Sequence, residues 1–114
     1  MDEQAYQHLA DATFARIERA LNDVDADELD LERAGDVLTL TFKRGTKCVI
    51  NTQRPTRQIW LAANARAWHF GWSAKDEKWL DDKGERAEGG GTLDLLEAIR
   101  RIVRDSSGLD IKLA

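Results

Sequence analysis

The chain has very little cysteine and proline, and it has no long hydrophobic run. Its 114 residues include one cysteine, Cys48, and one proline, Pro55. A lone cysteine excludes an intramolecular disulfide bond and any zinc site built on paired thiolates. No apolar run approaches the roughly 20 residues of a membrane-spanning helix, and residues 1–4 lack the basic and apolar parts of a signal peptide. We therefore expect a cytoplasmic protein without a membrane partner.

Recognisable catalytic arrangements are also missing. The sequence has two histidines and one cysteine, and their spacing to serine, aspartate or each other matches no nucleophilic triad or dyad. Hydrophobic residues make up 42% and charged residues 33%, which is typical of a folded protein. This length suits one core, so we expect a single domain over residues 1–114.

Acidic residues are concentrated at the start of the chain. Residues 1–32 contain ten acidic side chains and two arginines, whereas the whole chain has a net charge of only −4. This asymmetry predicts that the acidic part attracts a cation or a basic partner and does not bind nucleic acid. A solvated face that serves only solubility is the alternative.

The hydrophobic pattern predicts two helices that bracket several strands. The first helix has an apolar stripe at three- and four-residue spacing: Tyr6, Leu9, Ala10, Thr13, Ile17, Leu21 and Val24. From Leu29 the period changes to two, and strands are predicted over residues 37–42, 47–53, 58–63, 67–73 and 78–81. We expect Thr92 to cap a second helix that ends before Gly108, and residues 109–113 to pack back as an extended strand.

This order of elements predicts an α+β fold, a two-layer α/β sandwich. An antiparallel sheet of about five to six strands would carry the N- and C-terminal helices on one face. Alternation then places a set of polar and aromatic side chains on the other face: Thr39, Thr41, Asn51, Gln53, Gln58, Trp60 and His69. Uncharged amides around an indole favour a docking surface over a scattered surface aromatic.

Carboxylates alternate with apolar residues between residues 23 and 32. If that segment is extended, its carboxylates lie about 6.5–7 Å apart along one side and act as one negative field. Hard divalent cations relieve such repulsion. An EF-hand is excluded, because Glu28 and Ala34 fall where that loop needs glycine and a bidentate carboxylate. The pattern predicts a weak, open and hydrated cation site.

Two other patterns have weaker functional interpretations. Gly89–Gly91 precedes the second helix, but without the lysine of a phosphate loop it reads as a connector. Arg54, Arg57 and Arg66 lie in sequence around Trp60, and bases with aromatics can bind single-stranded nucleic acid. The overall negative charge makes this the less favoured alternative.

One segment resembles a known family. Residues 51–62, NTQRPTRQIWLA, resemble the N-x-Q-x-P-x-x-Q-x-W-L-A signature of the frataxin family. The acidic end of the first helix, residues 35–39 and residues 93–97 resemble its bacterial, CyaY-type branch. The resemblance implies the same two-layer sandwich and a non-catalytic regulator, or iron donor, of iron–sulfur cluster assembly. It also implies contact with the cysteine desulfurase and its scaffold protein.

The resemblance further implies which residues carry each role. The resemblance assigns weak, surface-exposed binding of Fe²⁺ or Fe³⁺ to acidic residues in the first third of the chain: Glu3, Asp11, Glu18, Asp23, Asp25, Asp27, Asp30 and Glu32. Partner binding falls on the sheet face: Asn51, Gln53, Gln58, Trp60 and His69. We expect a monomer that forms oligomers only with iron. The alternative function is a ferroxidase-type or iron-storage protein.

Overall fold

Two helices flank a six-stranded antiparallel sheet in this computed structural model, which describes residues 1–113. The strands lie side by side in chain order, so each pairs with the next. In sequence the elements are α1 (Glu3–Leu21), β1 (Leu29–Ala34), β2 (Val37–Phe42), β3 (Lys47–Gln53), the 3₁₀ turn Arg54–Thr56, β4 (Gln58–Ala63), β5 (Arg66–Ser73), β6 (Lys78–Asp81) and α2 (Leu95–Ser107). The predicted α+β sandwich is confirmed.

Helix α1 begins where Asp2 caps its first turn, by accepting a hydrogen bond of 2.7 Å from the Ala5 amide. Its buried face contains most of the predicted stripe and also Phe14, which was not predicted. The helix ends at Leu21, so Val24 lies beyond it. Neither helix within residues 1–113 is both long and apolar enough to cross a bilayer.

The inner face of the sheet supplies the other half of the core. Its alternating residues are buried: Leu38, Leu40, Phe42, Cys48, Ile50, Ile59, Leu61, Trp68 and Phe70. Burial raises the pKa of the Cys48 thiol to about 12. A thiol in this environment remains protonated and unreactive, which agrees with its prediction as a core residue.

Helix α2 begins two residues later than predicted. Its cap is Asp94, which accepts a hydrogen bond of 2.9 Å from the Glu97 amide, and not Thr92. The reason is tertiary: Leu93 accepts a backbone hydrogen bond from Asp81 at the edge of β6. This contact keeps the chain extended up to the cap.

The prediction of a C-terminal strand over residues 109–113 is wrong. These residues join no strand of the described chain, although Ile111 and Leu113 are only 6% and 9% exposed. Ile111 lines a cleft together with Arg16 of α1 and Leu96 of α2. The tail therefore packs against the helix layer and forms no backbone ladder with a strand of the described chain.

Candidate metal-binding and docking surfaces

The five predicted partner-binding residues lie together on the open face of the sheet. Strand register places Asn51 opposite Trp60 and Trp60 opposite His69 in one cross-strand row. Gln53 and Gln58 face each other in the neighbouring row. Directly opposite side chains in an antiparallel sheet are about 5 Å apart, so the five form one continuous patch, called the sheet patch below.

Trp60 is held in a fixed orientation at the centre of this patch. Its indole stacks on the imidazole of His69, with ring centroids 4.1 Å apart and planes inclined by 12°. The indole N–H donates a hydrogen bond of 3.0 Å to the side-chain carbonyl of Gln58. The half-buried indole therefore offers a partner an aromatic surface that needs little further ordering.

Asp82 completes the patch, and the sequence analysis missed it. The Gln58 amide donates to the Asp82 carboxylate at 3.2 Å, and His69 Nδ1 lies 3.8 Å from the same oxygen. Asp82 follows β6, and its amide donates to the His69 carbonyl, which extends the Trp60 row by one residue. Counting the alternation one residue past β6 would have indicated its position.

The eight predicted metal-binding residues are divided among three places. Three lie on α1, three lie in the connection between α1 and β1, and two lie on β1: Glu3, Asp11 and Glu18; Asp23, Asp25 and Asp27; Asp30 and Glu32. The β1 pair is on the open side of the sheet, because Asp30 faces Thr41 and Glu32 faces Thr39. The sheet therefore separates the β1 pair from the helix carboxylates.

The extended geometry considered for residues 23–27 is not present. The Asp25 carboxylate accepts a hydrogen bond of 2.9 Å from the Asp27 amide, and the Asp25 carbonyl accepts from Glu28 and Leu29. These bonds make a turn, which the short polar side chain of aspartate favours. The carboxylates of this segment consequently do not line one side of a strand.

The helix carboxylates have a basic neighbour that the sequence analysis missed. Arg33 Nη1 donates to Glu18 at 2.8 Å, and Arg33 Nη2 lies 3.7 Å from the Asp11 carboxylate. Arg33 lies on the helix side of β1, together with Leu29 and Leu31. That alternation was readable in the sequence, but the nearness of α1 to β1 was not.

The acidic residues do not form a closed metal cage. Within residues 1–113 no three His, Cys, Asp or Glu side chains are grouped closely enough to hold a metal ion together. Exposed carboxylate oxygens still suit hard cations that retain most of their water. The described chain therefore offers no enclosed dinuclear centre among these residues, and the weak, hydrated cation site stays a prediction.

A second group of carboxylates, at the opposite edge of the sheet, is fully paired. Glu85 accepts hydrogen bonds from Arg66 at 2.7 Å and from the Trp68 indole at 3.1 Å, and Arg101 approaches it to 3.4 Å. Burial raises the pKa of Glu85, but the hydrogen bonds from Trp68 and Arg66 and the charges of Arg66 and Arg101 outweigh it and lower the pKa. This group, the Glu85 network, also includes Glu88, which pairs with Arg101 and Arg104.

Two of the three arginines of the nucleic-acid alternative pair with carboxylates, and the third, Arg57, donates a hydrogen bond to the Arg54 carbonyl. Arg66 belongs to the Glu85 network and stacks over Trp68, with its guanidinium carbon 4.5 Å from the ring centroid. Arg54 lies 3.5 Å from the Asp36 carboxylate. This geometry favours a protein-docking role for the sheet patch over the stacking of nucleic-acid bases.

These features define a small α+β domain with an open sheet face and an exposed acidic surface. A family model described as a frataxin-like domain matches residues 1–101. The chain belongs to the frataxin family, and the predicted resemblance to its bacterial branch is confirmed.

Two relatives are each named iron-sulfur cluster assembly protein CyaY. The chain is 34% identical over 110 residues to the one from Pseudomonas fluorescens, with 96% of this chain and 93% of the relative covered. It is 37% identical over 117 residues to the one from Ralstonia nicotianae, with 99% and 95% covered. Both names describe an assembly protein rather than an enzyme.

Two solved structures are similar in fold. Frataxin from Psychromonas ingrahamii has a TM-score of 0.83 and 28% identity, covering 100% of this chain and 99% of that one. Trimeric frataxin from the yeast Saccharomyces cerevisiae, complexed with ferrous iron, has a TM-score of 0.71 and 22% identity, with 89% and 87% covered. At that identity the yeast structure supports the fold alone.

Proposed function

We propose that this protein regulates iron–sulfur cluster assembly in the cytoplasm by docking onto the cysteine desulfurase and its scaffold protein. The observation that carries the proposal is the sheet patch, in which a fixed indole lies among amides on a face that neither helix of residues 1–113 covers. Family membership and the relatives' names support the pathway. We further propose that residues 1–114 act as one non-catalytic domain and as a monomer unless iron is present.

Iron binding is the second part of the proposal. The exposed carboxylates on α1, the α1–β1 turn and β1 would take up Fe²⁺ or Fe³⁺ weakly, without dehydrating it. Because such binding acts through screened charge, its affinity falls as salt rises. The same negative field would attract a basic surface of the desulfurase from a distance.

The docking role is tested by Trp60→Ala, with Thr41→Ala as the control. Both positions face the open side of the sheet, but Thr41 lies two cross-strand rows from Trp60. We expect Trp60→Ala to speed dissociation from the purified desulfurase–scaffold complex about tenfold or more, as the loss of a buried aromatic anchor does. Thr41→Ala should change dissociation less than twofold, as measured by surface-binding kinetics.

Melting temperatures decide how these kinetics are interpreted. Both variants should remain folded, because neither side chain belongs to the buried core. A folded Trp60→Ala protein that dissociates at the normal rate would remove the sheet patch from the proposal. Equal loss in both variants would show that no local patch exists.

The acidic role is tested by replacing Asp23, Asp27 and Asp30 with Lys. Long-range charge acts mainly on association, so we expect slower association with the desulfurase and a flatter salt dependence, while dissociation changes little. Weak Fe²⁺ binding should also be lost under anaerobic conditions. Retained Fe²⁺ binding in the folded triple variant would contradict the assignment of iron to this surface.

Iron oxidation or storage is the alternative function. A dedicated oxidase needs an enclosed metal pair with bridging ligands, and carboxylates spread over three elements do not supply one. Measured Fe²⁺ oxidation with oxygen should therefore show no catalytic turnover above the rate without protein. Repeated turnover at substoichiometric protein would support the oxidase instead.

A further inference from the structure

Among residues 1–113, Arg33 is the one basic side chain that several contacts hold within the acidic surface. Besides its bonds to Glu18 and Asp11, its Nε donates to the Gly35 carbonyl at 3.3 Å. Its guanidinium carbon also lies 5.2 Å above the centroid of the Phe14 ring. The guanidinium group is therefore oriented from two sides, by the β1–β2 turn and by helix α1.

Lys43 provides a useful contrast. Its ammonium lies 3.6 Å from Glu28, but the Lys43 side chain is 71% exposed against 35% for Arg33. An exposed ion pair formed by a flexible lysine contributes little to stability, and solvent ions readily replace the lysine. A guanidinium held by planar, charge-assisted hydrogen bonds does not exchange so easily.

A tethered cation competes strongly with a dissolved one. Attachment through β1 gives the Arg33 guanidinium an effective concentration near its carboxylates on the order of millimolar. A weakly bound, hydrated divalent cation at Asp11 or Glu18 would gain no additional contact that offsets this advantage of the tethered guanidinium. Within residues 1–113, by contrast, Asp23, Asp27, Asp30 and Glu32 form no ion pair.

We propose that Arg33 determines where this acidic surface takes up cations. It occupies Glu18 and Asp11 of α1 as an internal cation and leaves external ions the other carboxylates, chiefly those of the α1–β1 turn and β1. This inference rests on the proposed iron binding, and it predicts that Glu18 and Asp11 contribute little to that binding while Arg33 is present.

The test compares Fe²⁺ affinities, measured anaerobically by calorimetry at about 0.15 M salt, in variants with matched charge changes. Glu18→Gln and Asp27→Asn each remove one negative charge, but only Asp27→Asn should weaken binding. Arg33→Gln should strengthen binding about three- to tenfold, as expected for removing one positive charge near a divalent ion. In the Arg33→Gln background, Glu18→Gln should then reverse most of that gain.

Arg86→Gln is the control for net charge. Arg86 follows β6, five strand spacings or about 24 Å from β1, which is about three Debye lengths at physiological salt. It should change the Fe²⁺ affinity much less than Arg33→Gln does. Arg33 covers Phe14, so Arg33→Gln could unfold the protein. In that case Arg33→Met, which keeps an aliphatic side chain over Phe14, should show the same increase in Fe²⁺ affinity.

The outcomes separate this inference from the proposed function. If the unmodified protein binds Fe²⁺ and Glu18→Gln weakens it as much as Asp27→Asn, the role of Arg33 is refuted while iron binding stands. Equal gains in Arg33→Gln and Arg86→Gln would refute it as well. If none of these proteins binds Fe²⁺, the proposed iron binding itself fails.

Discussion

The two carboxylate-rich regions of this protein lie at opposite edges of one sheet and differ in how their charges are paired. At the β6 edge, Glu85 and Glu88 receive arginines from β5 and α2. At the β1 edge, five carboxylates are exposed and form no ion pair in the described chain: Asp23, Asp25, Asp27, Asp30 and Glu32. Only Glu28 of that turn is paired, with the exposed Lys43. The first arrangement stabilises the fold, whereas the second remains available to a ligand.

The difference follows from what each region contacts. The Glu85 network lies where three elements converge, so side chains distant in sequence supply donors at short distances. The α1–β1 turn lies beside an edge strand that has a neighbour on one side only. Carboxylates there repel one another, and few other groups of the protein stabilise their charge. Binding a cation or a basic partner would therefore lower their electrostatic energy.

The largest change in stability is expected when the Glu85 network is broken. We expect Glu85→Gln to lower the free energy of unfolding by about 2 kcal/mol, because it weakens charge-assisted hydrogen bonds from Arg66 and leaves Arg101 less compensated. The same chemical change at Glu32 should alter stability by less than about 0.5 kcal/mol. Urea unfolding of both variants measures the contrast, and equal effects would show that the two regions do not differ.

A pH profile sharpens the same comparison. Because the folded-state pKa of Glu85 lies below its ordinary value, its ionisation stabilises the fold above about pH 4.3, the usual pKa of glutamic acid. That contribution is lost as the pH falls through the lower, folded-state pKa. The stability difference between the unmodified protein and Glu85→Gln should therefore shrink on acidification. A constant difference from pH 6 to pH 3 would show that charge is not the cause.

The smallest effect concerns the acidic turn and β1. We expect the double change Asp27→Asn and Asp30→Asn to raise stability by about 0.5 kcal/mol at low salt, because it removes repulsion without breaking a native ion pair. Asp25 is left intact, since its carboxylate accepts the Asp27 amide. Added salt should stabilise the unmodified protein more than this variant. A lower melting temperature would mean that these carboxylates make stabilising contacts.

Much of the docking face could be predicted from alternation alone. In a strand, successive side chains point to opposite faces, so the inward Ile59 and Leu61 determine that Trp60 points outward. Neighbouring strands of the correct length then bring Asn51 and His69 beside it. Asp82 was missed because the strand was predicted to end at Asp81, although the alternation continues for one more residue.

Predictions at the ends of elements succeeded less often. Asp94 rather than Thr92 caps α2 because Leu93 first pairs with the edge of β6. The tail contains alternating apolar residues that suit a strand, but it packs on the helix layer instead. In both cases a contact between distant segments overrides a local preference that is worth only about 1 kcal/mol.

By itself, the sequence predicted both helices, five of the six strands, most of the core and the face on which Trp60 lies. These depend on backbone periodicity, which acts between neighbours along the chain. Only the tertiary structure decided which carboxylates are neutralised. Glu18 is paired with Arg33, 15 residues away, and Glu85 with Arg101, 16 residues away, because packing of the helices on the sheet brings those side chains together. Charge pairing falls off within a few ångströms, so it follows the meeting of distant elements and not the spacing of residues.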